Sequence, residues 1–220
     1  MTDERTKLLG FMIALVALAL VVAVFGERLL TSASGPENEL ITWLKKKEQP
    51  GEPFDGALVG QRVSYQRLSV VLGPDGQSAT VSGTLDFTGR KEGVTVSSLG
   101  FERVKFAKKD GEWRAVDGPA PRLAAVVRAL ERRRRALEAG DIPDAEGLDR
   151  EEAERYRRLE ARRFTVEAWF IRSEKEGVEV SEDFRLQGNL PDRPVDEKGS
   201  RRLSLSEDAR GEFSFPRGLL

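Results

Sequence analysis

Few residues in this chain have the type and position to do chemistry, and Glu182 stands out among them. It falls in phase with Val178, Val180, Phe184 and Leu186, on the apolar face of a period-two stretch. A carboxylate facing an apolar pocket is pushed toward its neutral form and can act as a general acid or base. A buried charge is more often paired, so the favoured reading gives Glu182 an Arg partner or takes the strand face out of the core at that point. The second feature is Arg132-Arg133-Arg134-Arg135. Such a run could grip an anionic partner, lipid headgroups or a phosphate. The plainer reading is a solvated helix face balanced by Glu131 and Glu138. Four consecutive residues reach all sides of a helix, so at least one Arg must approach the apolar face and snorkel.

The chemistry that is excluded is sharper. There is no Cys and no His. Thiolate nucleophiles, disulfides, Ser-His-Asp and Cys-His catalysis and His-ligated metals are therefore ruled out within one chain. GPDG and KDGEW lack the spacing of a phosphate or calcium loop. No catalytic motif remains, and the expectation is a non-enzyme with no cofactor and no metal. A net charge of -1 argues against a nucleic-acid binder. Lys45-Lys46-Lys47 reads as dipole chemistry at a helix C-terminus more readily than as a lipid contact. Trp43, Trp113 and Trp169 read as core.

The elements that must position these residues begin with an apolar run. Leu8–Phe25 is an 18-residue stretch without charge, long enough to cross most of a hydrocarbon core of about 30 Å. A retained anchor, a signal cleaved near Thr31-Ser32-Ala33 and a core helix compete for it, and its length favours the anchor. Arg5 and Lys7 against Arg28 place the N-terminus in the cytoplasm. The expected organisation is a cytoplasmic tail over 1–7, a transmembrane helix over 8–26, a linker over 27–35, and α+β units over 36–118 and 119–220. The localisation implied is a single-pass inner-membrane protein with an extracytoplasmic C-terminal part.

Beyond the linker, Pro36 starts a helix that Pro50-Gly51 closes. Val63–Leu72, Ala79–Thr88, Val94–Ala107 and Trp113–Val116 then read as a four-stranded antiparallel meander. A helix over Arg122–Ala139 follows, ended by Gly140, and Asp149 opens another. Phe164–Arg172, Gly177–Leu190, Ser200–Ser206 and Glu212–Phe215 read as four more strands. The halves align: Tyr65 lies over Phe164, Ala79 over Val178 and Gly111-Glu112-Trp113 over Gly211-Glu212-Phe213. Shared phase across three strands points to a duplicated unit.

The stretch from Ala129–Asp141 through EEAERYRRLEARRF to EVSEDFRLQG and GEFSF resembles the nuclear transport factor 2-like, or cystatin-like, superfamily over about Pro121–Leu220. The resemblance implies helices on one face of a curved sheet, with a pocket between them. The layout is also similar to bitopic assembly factors of bacterial secretion and conjugation systems. The function expected is a membrane-anchored, non-catalytic binding or assembly module of the bacterial envelope. Its partners would be the bilayer through Leu8 to Phe25, an envelope protein and a second copy of the chain. The alternatives are a ligand-binding or acid/base enzyme domain using Glu182, and a secreted protein released near Ala33.

Overall fold

In the computed structural model the described residues are 35–216, apart from 52, 56–57, 142–147 and 149. The chain divides into two compact units, Met1–Thr42 and Trp43–Leu220. Of the first, the described part is the start of α1 (Pro36–Lys46). That helix has Pro at its first position, Glu37 and Glu39 in its first turn and Lys45 and Lys46 in its last, each suited to its end of the helix dipole.

The second unit is mostly β. Its strands are β1 (Pro53–Asp55), β2 (Leu58–Leu72), β3 (Ser78–Lys91), β4 (Val94–Lys109), β5 (Glu112–Ala115), β6 (Glu160–Ser173), β7 (Gly177–Asn189), β8 (Pro194–Glu207) and β9 (Phe213–Ser214). Two helices, α2 (Pro121–Ala139) and α3 (Arg150–Arg158), lie in sequence between β5 and β6. Val96, Val104 and Phe106 of β4, Trp169 and Ile171 of β6 and Val180 of β7 are buried in alternation with half-buried or exposed neighbours, as a sheet covered on one face requires. α2 covers that face, packing on β4, β6 and β9. Leu123, Val126, Val127, Leu130 and Leu137 are its buried apolar residues.

The expected fold class, a transmembrane helix followed by two units of helix plus four-stranded meander, is corrected here. Among the described residues the strands form one nine-stranded sheet, in the order β1-β2-β3-β4-β6-β7-β8-β9 with β5 on β4. Antiparallel hairpins run within each half, but β4 and β6 pair in parallel from Thr95↔Ala168 to Gly100↔Ser173. The reason is backbone satisfaction. Two separate meanders would leave two inner edges unpaired, and joining them satisfies both. A parallel join needs a long crossover, and the segment carrying α2 and α3 supplies it.

The membrane expectation is corrected as well. No helix among the described residues is long and apolar enough to cross a membrane. Leu8–Phe25, on which the single-pass inner-membrane localisation rested, lies outside the described residues, as does the proposed cleavage site. That localisation is not carried further. The cystatin-like arrangement expected over about Pro121–Leu220 is not shown, and the strands of both halves join in one sheet.

Within that sheet the two halves repeat their pairing. Val63↔Phe87 and Tyr65↔Leu85 in one correspond to Phe164↔Leu186 and Val166↔Phe184 in the other. Tyr65 therefore takes the place of Val166, two residues from the Phe164 with which the sequences align. The shift arises in the turns, since Leu72↔Ala79 encloses residues 73–78 and Ser173↔Val178 only 174–177, while each strand is interrupted twice at matching places. Register breaks at Gly60/Arg62 and Gln66/Ser69 in β2, and at Glu160/Arg163 and Val166/Ala168 in β6. Arg67 and Ala161, both at positive φ, lie at these bulges.

The seam between β4 and β6 depends on Gly100. Its φ is +142°, and a Cβ there would lie 1.9 Å from the Ser173 carbonyl oxygen. We expect Gly100→Ala to lower the free energy of unfolding by more than about 2 kcal/mol, from strain and backbone clash together. Urea denaturation of the two proteins measures this, and an unchanged midpoint would show that the seam tolerates a side chain.

Candidate functional site

α2 carries two buried guanidinium groups on one side. Arg122 and Arg133 are about three turns apart and so share a face. Each meets a carboxylate on the sheet. Glu182 of β7 is 0% exposed and Arg133 is 1% exposed. Arg133 Nη1 donates to Glu182 Oε1 at 2.7 Å, and Trp169 Nε1 donates to Oε2 at 3.0 Å. Arg201 Nε of β8 is 3.4 Å from the same Oε1. Arg201 lies over the Phe184 ring at 3.9 Å and donates from Nη2 to the Tyr156 hydroxyl of α3 at 3.3 Å. Burial lowers the Arg133 pKa, while Glu182 opposes that shift.

Both Glu182 oxygens are thus engaged and no part of the side chain reaches solvent. A general acid or base needs a proton path to a reacting atom, and this arrangement is that of a structural ion pair. The four-Arg run divides accordingly. Arg133 turns inward to Glu182. Arg134 is answered by Glu131 at 2.9 Å, Glu92 at 3.0 Å and Glu138 at 3.2 Å. Arg135 meets Glu92 at 3.4 Å, and Arg132 Nη2 donates to the Phe213 carbonyl at 3.5 Å. Acids thus answer Arg133, Arg134 and Arg135, while Arg132 and Arg135 remain exposed.

At the other end of α2 lies a carboxylate that the sequence reading had missed. Ala120 supplies no side-chain cap, and the first turn of α2 holds no acid. Glu102 of β4 fills that place. Its Oε1 accepts the Arg122 N–H and its Oε2 the Leu123 N–H, each at 3.0 Å. A carboxylate from the sheet thereby satisfies two orphan donors and faces the positive end of the dipole. Arg122 donates from Nε to Glu207 Oε2 at 2.9 Å and from Nη1 to the Glu174 carbonyl at 2.8 Å and Ser173 Oγ at 2.9 Å. It lies over Phe101 and Phe213 at 5.2 and 5.3 Å. The phase argument that singles out Glu182 would have found Glu102, which alternates with Val104 and Phe106, and Arg201, which alternates with Leu203 and Leu205. In the pairing register Gly83↔Glu102 and Glu182↔Arg201 are the corresponding steps of the two halves.

The far end of α2 closes on Gly140, at φ +80°, the left-handed conformation favoured after a helix. Arg162 of β6 reaches its carbonyl at 3.2 Å and the Tyr156 carbonyl at 2.9 Å, so one cation answers the ends of both α2 and α3.

Beside the α2 N-terminus lies an open groove of about 720 Å³. Arg103, Lys105, Lys175 and Arg210 line it together with Asp117 and Glu176. Its walls come from β4, the start of α2 and the turns after β6 and β8. Among the described residues no group of three or more acidic, His or Cys side chains is placed to hold a metal.

No family model, curated protein or solved structure matches this chain. The resemblance to the nuclear transport factor 2-like superfamily gains no support from these comparisons.

Two outcomes follow from this geometry. Arg133→Met leaves Glu182 buried without its closest cation and should cost about 3–5 kcal/mol of stability. Adding Glu182→Leu should recover part of that loss, and equal stability of the single and double variants in urea would deny the coupling. Glu102 gives a pH signature. Burial pushes its carboxyl from 4.5 up to about 7, although the N–H groups and Arg122 pull the other way. Its folded-state pKa is the higher, so its contribution to stability is complete below about pH 4.5 and is lost as pH rises through about 7. Glu102→Gln should flatten the stability profile over that window, read by thermal melts at successive pH values.

Proposed function

We propose that this chain is a non-catalytic binding or assembly module that engages a protein partner at the groove beside the α2 N-terminus. The observation that carries this reading is the groove itself: large, open to solvent, and lined by charges of both signs. Small-molecule sites are mostly apolar with a few polar groups. A mixed-charge surface suits the complementary side chains of a polypeptide. The non-catalytic part rests on the absence of His and Cys and on the complete engagement of Glu182.

The test is native mass spectrometry on full-length protein gently isolated from its source cells. A protein partner should co-purify at fixed stoichiometry with the wild type. Lys105→Glu combined with Arg210→Glu should weaken that association at least about tenfold, since reversed charges face the same partner surface. A partner retained by the double variant would overturn the groove assignment. A small molecule held at fixed stoichiometry and lost in Glu182→Gln, with no protein partner, would overturn the binding-module reading as well.

A further inference from the structure

The sheet has two long outer edges, and they are built differently. β8 carries β9 only at Ser206 and Glu207. The rest of that strand holds Pro194, Asp196, Glu197, Lys198, Arg201 and Arg202. Proline and charge are the usual devices that keep an edge strand from pairing further. β2 carries β1 only at Leu58 and Val59. One further step of its edge is closed by side chains. Lys45 Nζ donates to the Tyr65 carbonyl, and the Tyr65 N–H donates to Glu48 Oε1, both at 2.6 Å. Past Tyr65 no strand among the described residues pairs with the outer side of β2. There the strand bulges at Arg67 and continues as Leu68-Ser69-Val70-Val71-Leu72, which holds no charge. Val71 is 66% exposed and Leu72 is 37% exposed.

We propose that Leu68–Leu72 is a pairing edge for a second copy of this chain, joined antiparallel about a two-fold axis near Val70. Three observations favour a second copy over another extended segment. Self-pairing sets an uncharged segment against itself, so no like charges meet across the strands. The nearest charge, Arg67, then falls beside the partner's turn at Gly73–Gly76, whose exposed Asp75 has the opposite sign. The β8 edge is protected, so the pairing closes at two copies and does not grow into a fibre. This inference stands apart from the groove, and the groove reading survives its failure.

The chain has no Cys, so a single introduced cysteine reports without background. At a two-fold axis facing Cα atoms lie about 4.5–5.5 Å apart, within disulfide reach. Val70→Cys alone, and Ser69→Cys mixed with Val71→Cys, should give a disulfide-linked dimer of the full chain on mild oxidation, since 70 faces 70 and 69 faces 71 across the axis. Lys198→Cys on the β8 edge should form no disulfide-linked dimer. In the cysteine-free chain, Val71→Lys should weaken self-association at least about tenfold by sedimentation velocity, with an unchanged circular dichroism spectrum. The proposal is overturned by the absence of cross-linking at all three positions, by a dimer that persists in Val71→Lys, or by assemblies larger than a dimer in sedimentation velocity of the cysteine-free chain. It is also overturned if this edge binds a different protein while the chain itself stays monomeric.

Discussion

The fold turns on one constraint: α2 must rest on the sheet while presenting Arg122 and Arg133 to its buried face. A guanidinium cannot be left in an apolar interior without a partner. The sheet therefore carries a carboxylate under each, Glu182 for Arg133 and Glu207 for Arg122. These two contacts set both the axial position and the rotation of the helix. The apolar residues between them, Val126, Ala129 and Leu130, are buried as well, and the charge pairs add directional bonds with little tolerance for displacement.

The same contacts hold the halves of the sheet together. Glu102 on β4 caps the helix that Arg133 ties to β7, and Arg122 reaches from that helix to the end of β6 and to β8. α2 is thus a strap across the parallel seam, with polar bonds at both ends and apolar packing between. The corresponding steps Gly83↔Glu102 and Glu182↔Arg201 carry different chemistry in the two halves. In one half the charge serves the helix backbone, and in the other it serves a side-chain cluster. A repeated strand framework has taken two polar roles that meet on a single helix.

For function, the division of charge matters most. Inside, every strong charge under α2 has a partner and contributes to position. Outside, the groove at the α2 N-terminus and the uncharged end of β2 are two places where the surface departs from ordinary solvation. The groove offers both signs of charge in a concave setting. The β2 end offers unpaired backbone and exposed apolar side chains. The proposed assembly role draws on these two surfaces.

Much of the local structure was legible in the sequence, because periodicity is a local property. Alternation at Ala79–Phe87 and Val178–Leu186 marks which side of each strand is apolar, and the spacing of Leu123, Val126, Leu130 and Leu137 marks the helix face. Composition alone excluded His and Cys chemistry. The phase of Glu182 identified a carboxylate on the buried side, and four consecutive Arg on a helix required one to approach the core. What the sequence could not state is which element covers a given face. That Arg133 is the residue meeting Glu182, that the two meanders share a parallel seam instead of standing apart, and that Glu102 caps α2 are decided only by the tertiary structure. Each joins groups distant in the chain, where pairing is governed by backbone satisfaction at strand edges and by the cost of a lone buried charge, neither of which leaves a local pattern.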